Sequence, residues 1–288
     1  MSNAHHAQSS SPAIPLIVSA DWLAERLNTQ PDASLLVDVT KPSIYEQAHL
    51  PGAVHVNYNQ LQLGGAIPGL PPAREHIEQL LSSIGLTPDQ HVVAYDEEGG
   101  TRAARFLWIL ALAGHQHFSY LDGGIHAWLA ADLPYSTDPV VVQPGQYAVP
   151  ALTDNADIAL DELLAIHEQP DVVVWDSRSP EEYLGIAPNS RRPGHIPGAV
   201  NYNWENAIDH DNNNLLRPLD SIKAELTERG ITPDKQVIVH CRTHHRSSFT
   251  WLLAKHLGYP QVRAYSGSWA EWGDARNDTP VVTGASPQ

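Results

Sequence analysis

The sequence is poor in cysteine, in positive charge and in long apolar runs. Its 288 residues include a single cysteine, Cys241, which excludes an internal disulfide and makes the cytoplasm the default expectation. Lys and Arg number 17 against 33 Asp and Glu, and this net charge of -16 argues against nucleic-acid or anionic-membrane partners. No run approaches the roughly 18 apolar residues of a membrane helix. Residues 1–14 lack the features of a signal peptide and are predicted to be a disordered or expression-derived tail.

The single cysteine lies between a predicted strand and a predicted helix. Residues 237–239 are β-branched and indicate a buried strand of a parallel sheet that ends just before Cys241. Apolar residues then recur at helical spacing, with Ser247 and Ser248 as the expected N-cap residues and Gly258 as the stop signal. Cys241 is therefore expected where backbone N–H groups of a turn and a helix N-terminus converge and stabilise negative charge.

This position suits a cysteine that acts as a nucleophile. The thiolate is the reactive form, and a pKa near about 8.5 falls to roughly 3.5–7.5 at a helix N-terminus beside Arg or His. Arg242 and Arg246 are the candidate sources of positive charge. The competing interpretation, a small buried apolar cysteine, fits poorly with the polar, cationic loop that follows Cys241.

The chain contains an internal duplication. The motif H-[LI]-P-G-A-V occurs twice, beginning at His49 and at His195, in each case after an apolar run that ends in Asp. The second copy carries an insertion around residues 184–191. A later pair of matching segments is offset by 145 residues, which puts Asp96 at the position of Cys241. Only the second copy therefore has a nucleophile.

Short apolar strands alternate with helical patterns in both copies, which predicts an α/β fold. Each copy is expected to form a parallel sheet with helices on both faces, and its ligands are expected at the carboxyl ends of the strands. We predict a first domain at residues 15–136, a linker at 137–157 and a catalytic domain at 158–284.

The first copy is expected to play a structural role at the cleft. Its loop carries Glu97 and Glu98 where the second copy is basic, so it should repel anionic donors. The Pro- and Gly-rich segment 63–77 is predicted to reach the interface between the copies. Trp204 and Trp251 are candidates to line the site, with core packing the favoured interpretation of Trp251.

The duplication, the loop that begins with cysteine, the motif G-H-I-P-G-A-V and the segment Y-S-G-S-W-A-E-W together resemble the rhodanese family of sulfurtransferases. The loop C-R-T-H-H-R is similar to that of bacterial two-domain rhodaneses with a Cys-x-Thr-His-His-Arg loop. The resemblance implies that Cys241 attacks the outer sulfur of a donor such as thiosulfate and releases sulfite. The resulting persulfide then passes its sulfur to an acceptor such as cyanide or a thiol. No metal or cofactor is implied.

The resemblance also implies roles for single residues. Cys241 is the catalytic nucleophile, and the loop that cradles it and contacts the donor comprises Arg242, Thr243, His244, His245 and Arg246. Arg246 either binds the donor or is tied to a carboxylate. His244 and His245 either tune the thiolate and meet the acceptor or, as is more common for loop histidines, face solvent. Asp176 supports the loop through Arg178 or a backbone amide, or satisfies its own turn.

Substrate choice and alternative functions remain open at this stage. Glu182 stands where thiosulfate- and 3-mercaptopyruvate-preferring relatives place an anion-binding Arg, yet thiosulfate is favoured because the loop is cationic. The alternatives are a 3-mercaptopyruvate sulfurtransferase and a persulfide carrier that delivers sulfur to a protein partner. A cysteine phosphatase is disfavoured because its loop needs five residues between Cys and Arg, whereas four separate Cys241 from Arg246.

Metal binding by the 16 histidines is weakly supported, and a monomer is expected.

Overall fold

The structure is a computed structural model that describes residues 14–62, 67–153, 155–187 and 192–285. Residues 1–13 of the predicted tail and residues 188–191 of the predicted insertion lie outside these ranges. Within the described residues, no helix combines the length and the apolar character that crossing a membrane requires.

The first copy is an α/β unit built on one parallel sheet. Its strands are β1 (Ile17–Val18), β2 (Ser34–Asp38), β3 (Val54–His55), β4 (His91–Tyr95) and β5 (Phe118–Leu121). Its helices are α1 (Ala20–Thr29), α2 (Pro42–Tyr45), α3 (Arg74–Ser83), α4 (Thr101–Leu112) and α5 (Gly124–Ala130). The strands pair in the order β1–β5–β4–β2–β3, and all four pairings are parallel.

The second copy repeats this arrangement. Its strands are β6 (Val172–Asp176), β7 (Val200–Asn201), β8 (Ile208–Asp209), β9 (Leu215–Leu216), β10 (Gln236–His240) and β11 (Val262–Ala264). Its helices are α6 (Leu160–Ile166), α7 (Pro180–Leu184), α8 (Leu219–Glu228), α9 (Arg246–His256) and α10 (Ser268–Trp272). The parallel order β11–β10–β6–β7 is extended by a parallel bridge from Asp157 to Ala264, at the edge that β1 occupies in the first copy. Strands β8 and β9 form a separate antiparallel pair. The predicted fold class is confirmed.

The two copies share a buried interface. Helix α4 packs against its counterpart α9, and one continuous apolar cluster contains residues of both helices. The mainly apolar sequence of α4 explains this position, because a helix without a polar face must be covered on all sides. Contact between equivalent elements is the arrangement of an isologous dimer, here contained in one chain.

The repeated histidines show how closely the copies correspond. The ring of His49 stacks on Tyr45 at a centroid distance of 3.9 Å, and that of His195 stacks on Tyr183 at 3.7 Å. In each pair His Nδ1 donates to the carbonyl oxygen of the same tyrosine, at 2.7 and 2.8 Å. The duplicated motif thus builds the same local structure twice.

The structure confirms the predicted end of the strand before Cys241 and corrects the start of the next helix. Strand β10 ends at His240, and Gly258 adopts a φ of 86° just beyond α9, as a helix stop requires. The prediction that Ser247 and Ser248 cap the helix is wrong, because α9 begins at Arg246 and both serines lie buried in its first turn. Their backbone N–H groups are thereby left free of intrahelical partners.

Candidate active site

Cys241 is the first residue of the loop between β10 and α9, and its side chain is fully buried. Burial by itself would raise the pKa of the thiol. The charge of Arg246, the hydroxyl of Ser247 and the backbone N–H groups of Ser247 and Thr243 outweigh burial and hold the Cys241 pKa below its ordinary value. The surroundings therefore favour the thiolate, which is the nucleophilic form.

The equivalent loop of the first copy shows what this backbone binds. Asp96 Oδ1 accepts the N–H groups of Glu98 and Gly100, both at 2.9 Å, and Oδ2 accepts those of Arg102 and Ala103, both at 2.8 Å. Four N–H groups that converge on one carboxylate form an anion-binding nest. The offset of 145 residues maps these donors onto Thr243, His245, Ser247 and Ser248. The same nest thus holds a carboxylate in one copy and a thiol in the other.

Arg246 is tied to a carboxylate. Its Nη1 and Nη2 donate to the two carboxylate oxygens of Glu182 at 2.5 and 3.0 Å, which is a bidentate ion pair. Glu182 occupies the position where relatives place an anion-binding Arg. Its carboxylate instead binds Arg246, an arginine of the catalytic loop itself. Arg246 still lies near enough to Cys241 to lower the pKa of the thiol.

Both loop histidines contact the first copy, and the alternative in which they face solvent is wrong for His244, which is buried. His244 is buried, its ring stands edge-on to Trp108 at 4.4 Å, and its Nδ1 bonds to Ser247 Oγ at 2.8 Å. His245 lies within 2.5 Å of Tyr58 Oη and 3.3 Å of Glu98 Oε2. The first copy packs over the loop, where it buries the ring of His244 and leaves the His245 side chain 27% exposed.

The two remaining loop residues differ in exposure. The backbone of Thr243 contacts Gly69, where an added Cβ would lie 3.0 Å from the Thr243 carbonyl carbon. The predicted reach of segment 63–77 to the interface is thereby confirmed at Gly69, although residues 63–66 lie outside the description. Arg242 is exposed and has no ion-pair partner within the described ranges. It is the loop cation that an incoming anion can meet.

Asp176 supports its own turn and the end of β10. Its carboxylate accepts the backbone N–H of Arg178 at 3.0 Å and pairs with that guanidinium at 2.5 Å. Arg178 also donates to the carbonyl of Gly194 and lies over the ring of Trp269. His240, which precedes the cysteine, places Nε2 3.4 Å from Asp176. Asp176 therefore satisfies its own turn and contacts the end of β10 at His240.

The first copy contributes residues that the sequence interpretation missed. Arg105 is buried, donates to the carbonyls of Leu61 and Leu70, and lies over the ring of Trp108 at 4.5 Å. Its charge acts on Tyr58, whose pKa burial raises to about 12. These residues lie far from Cys241 in sequence, so no local motif could reveal them. One feature of the sequence indicated that the two aligned loops lie opposite each other: the loop of the first copy is acidic and that of the second is basic.

The tryptophans take different places. Trp251 is fully buried in the shared core, which confirms the favoured interpretation. Trp204 packs edge-on against Phe249 at 5.9 Å and would contact a Cβ placed on Gly99 of the first copy at 3.6 Å. It belongs to the wall between the copies.

Comparison with known proteins agrees with this geometry. The rhodanese-like domain family matches residues 19–131 and 159–275. The chain belongs to the rhodanese family. It is 44% identical over 270 residues to a thiosulfate sulfurtransferase of Azotobacter vinelandii and 42% identical to one of Pseudomonas aeruginosa; each match covers 93% of this chain and 97% of the relative. A sulfur carrier protein, TtuD of Thermus thermophilus, is 31% identical over 90% of this chain and 94% of its own.

Solved structures share the fold of this rhodanese. The wild-type structure of EanB superposes with a TM-score of 0.84 at 23% identity and covers 94% of this chain and 69% of EanB. The anaerobic ergothioneine biosynthesis enzyme of Chlorobium limicola superposes with a TM-score of 0.82 at 24% identity, over 94% of this chain and 70% of that enzyme. The predicted enzyme class, a sulfurtransferase with two rhodanese-like domains, is confirmed by the family match and the curated relatives.

Proposed function

We propose that this rhodanese transfers sulfane sulfur from thiosulfate, through a persulfide on Cys241, to a thiophilic acceptor such as cyanide or a small thiol. The observation that carries the proposal is the nest around Cys241, whose counterpart binds a carboxylate through four N–H groups. A nest that accommodates an anion in one copy is suited to a thiolate or persulfide anion in the other.

The first half-reaction needs no proton transfer. The Cys241 thiolate attacks the outer sulfur of thiosulfate, a new S–S bond forms, and the S–S bond of thiosulfate breaks. Sulfite leaves with the electron pair, and the negative charge remains on the outer sulfur of the persulfide. Backbone N–H groups of Thr243 and Ser247 already help to lower the pKa of the Cys241 thiol, so the loop is expected to stabilise the charge without reorganisation.

The choice of thiosulfate rests on charge and on the relatives. Arg242 is the exposed cation of the loop, and the two most similar named relatives given above are thiosulfate sulfurtransferases. Glu182 neutralises Arg246 and so removes a second cation from the donor site. We therefore expect weaker thiosulfate binding than a site with two free cations would provide, and 3-mercaptopyruvate is the donor to compare.

The test is intact mass after incubation with excess thiosulfate, with wild type beside Cys241→Ser. Because the chain has one cysteine, a gain of about 32 Da in wild type alone assigns the sulfur to Cys241. Cyanide should remove the added mass and yield thiocyanate. A gain with 3-mercaptopyruvate but not with thiosulfate would show that the donor is wrong. No gain with either donor, or an equal gain in Cys241→Ser, would overturn persulfide chemistry.

A persulfide carrier is the second candidate function. It is favoured by the 31% identity to the sulfur carrier protein of Thermus thermophilus. Carrier and enzyme share the first half-reaction and differ in the acceptor. Multiple turnovers with a small thiol or cyanide would establish the enzyme, whereas a persulfide that is stable to both but yields to a thiol-bearing protein would establish the carrier.

We further propose a cytoplasmic monomer. The lone thiol is unpaired, as persulfide chemistry requires, and a reducing compartment preserves it. Pairing of α4 with α9 already provides within one chain the interface that single-domain copies would form as a dimer. Light scattering at micromolar concentration should give a mass near 31.6 kDa, and a doubled mass would refute the monomer.

A further inference from the structure

Three side chains form a line of polar contacts across the interface, at the loop that begins with Cys241. Tyr58 Oη lies 2.5 Å from His245 Nδ1, and His245 Nε2 lies 3.3 Å from Glu98 Oε2. Tyr58 and Glu98 come from the first copy, whereas His245 comes from the catalytic loop of the second. When a carboxylate, an imidazole and a hydroxyl lie in this order, the hydroxyl can transfer its proton to the imidazole.

The partners determine where the protons lie. An ionised carboxylate only accepts, so His245 Nε2 carries a proton toward Glu98, and the Nδ1 of a neutral ring accepts the O–H of Tyr58. Burial raises the pKa of Tyr58 to about 12, so the phenol keeps its proton at neutral pH. The charge of Cys241 contributes to the same rise, which puts the phenol within electrostatic reach of the reactive sulfur.

The surroundings hold the phenol in place. The guanidinium of Arg102 lies over the Tyr58 ring at 5.0 Å, and the ring of His245 meets it edge-on at 5.0 Å. Arg102 and Lys41 pair with Glu98, each at 3.1 Å, and keep that carboxylate ionised on the side away from His245. The side chain of Gln62 lies near enough to the Tyr58 hydroxyl to oppose the rise of its pKa. These contacts fix the orientation of the Tyr58 phenol, as a group that transfers protons requires.

We infer that Tyr58 transfers the proton when a thiol takes the sulfur from Cys241, with His245 as the base behind it and Glu98 as the positioning carboxylate. The inference rests on the proposed function. The acceptor S–H gives its proton to Tyr58 Oη as the tyrosine proton moves to His245 Nδ1. The acceptor sulfur then attacks the outer sulfur of the persulfide, the S–S bond to Cys241 breaks, and its electron pair returns to Cys241 as thiolate. The relay delivers the proton to the released hydropersulfide.

The need for a relay follows from the acceptor's chemistry. An alkyl thiol with a pKa near about 8.5 is mostly protonated at neutral pH, and it approaches a site that already holds a persulfide anion and Glu98. A positioned acid–base group typically contributes about 100- to 10,000-fold to such a step. An acceptor that is already an anion needs no relay. Loss of the relay is therefore expected to slow sulfur transfer to a protonated thiol. Transfer to an anionic acceptor and formation of the persulfide should be unaffected.

The test is Tyr58→Phe, which removes the hydroxyl and retains the ring and its packing. Wild type and variant are loaded with sulfur by inorganic polysulfide, which makes the test independent of thiosulfate as donor. Discharge is then followed by intact mass with an alkyl thiol and with an aromatic thiol that is ionised at neutral pH. We expect discharge to the alkyl thiol to fall by about 10- to 100-fold in Tyr58→Phe and discharge to the ionised thiol to stay within about twofold of wild type.

Two further variants separate the relay from a structural role. Tyr259→Phe removes an equally buried hydroxyl, which donates to the Ile231 carbonyl at the far end of α9, and should match wild type with both acceptors. Glu98→Gln should show a smaller defect that is again confined to the alkyl thiol. Equal slowing of Tyr58→Phe with both acceptors, or no slowing with either, would overturn the relay. If wild type accepts no sulfur even from polysulfide, the proposed function fails together with the relay; if only thiosulfate fails to load it, the donor alone is wrong.

Discussion

Replacement of Asp96 tests whether the loop that the two copies share is an anion-binding nest. Asp96 is 1% exposed and accepts four N–H groups at 2.8–2.9 Å, so Asp96→Ala leaves two buried and two part-buried donors without their acceptor. A hydrogen bond to a charged group contributes about 1.5–3 kcal/mol. The sum of four is an upper limit, because burial opposes the charge and raises the pKa of Asp96. An unsatisfied buried donor costs about 1–3 kcal/mol, and water can satisfy some of the four N–H groups in the variant, so we expect a destabilisation of about 3–5 kcal/mol.

The assay is urea unfolding of wild type, Asp96→Ala, Asp96→Asn and the exposed control Asp32→Ala. Asn keeps one oxygen that can accept two of the four N–H groups, so Asp96→Asn should lose about half as much stability as Asp96→Ala. Asp32→Ala, in an exposed turn of the same copy, should stay within about 0.5 kcal/mol of wild type. A loss below about 1 kcal/mol for Asp96→Ala would refute the nest as a structural anion site and remove the main support for its role at Cys241.

Two further predictions concern the interface and the thiol. Gly69→Ala would place Cβ 2.1 Å from the Ser266 carbonyl oxygen, so we expect a loss of about 1–3 kcal/mol in urea unfolding. Gly145→Ala, where the nearest atom is 3.6 Å away, is the matched control, and equal stability of the two variants would contradict the close approach. Arg246→Gln removes the charge that helps to hold the Cys241 pKa down, so that pKa should rise. The pH profile of iodoacetamide alkylation should then shift to higher pH, and an unchanged profile would show that Arg246 does not act on the thiol.

Features within each copy could be predicted from the sequence because they are local or repeated. β-Branched residues 237–239 mark β10, and the motif at His49 and His195 marks the same turn in both copies. A duplication also aligns loops that differ in sequence, so the 145-residue offset between the copies is enough to match Asp96 to Cys241. The hydrogen bonds of the Asp96 carboxylate show which backbone N–H groups form the nest at the aligned position.

Contacts between the copies could not be predicted in this way. Tyr58 and His245 are 187 residues apart, and their hydrogen bond depends on how α4 packs against α9, which no single segment encodes. The bidentate pair of Arg246 with Glu182 was one of two open alternatives, because a loop arginine can equally well bind a ligand. The helix start was misplaced for a related reason. Ser247 and Ser248, which are residue types typical of an N-cap, are instead the second and third residues of the helix, where their backbone N–H groups can serve the nest.

Duplication explains why a copy without a nucleophile still shapes catalysis. When equivalent helices pack together, the loops at their N-termini are brought together as well, so a change in one loop acts on the other. The Asp96 carboxylate fills the first nest, and the neighbouring Glu98 reaches the catalytic loop at His245. The first copy thus brings a carboxylate and a phenol to the catalytic loop of the second, at His245. If the inferred relay operates, a stable cover that lacks these two groups cannot replace the first copy, because sulfur transfer to a protonated thiol would lose its proton path.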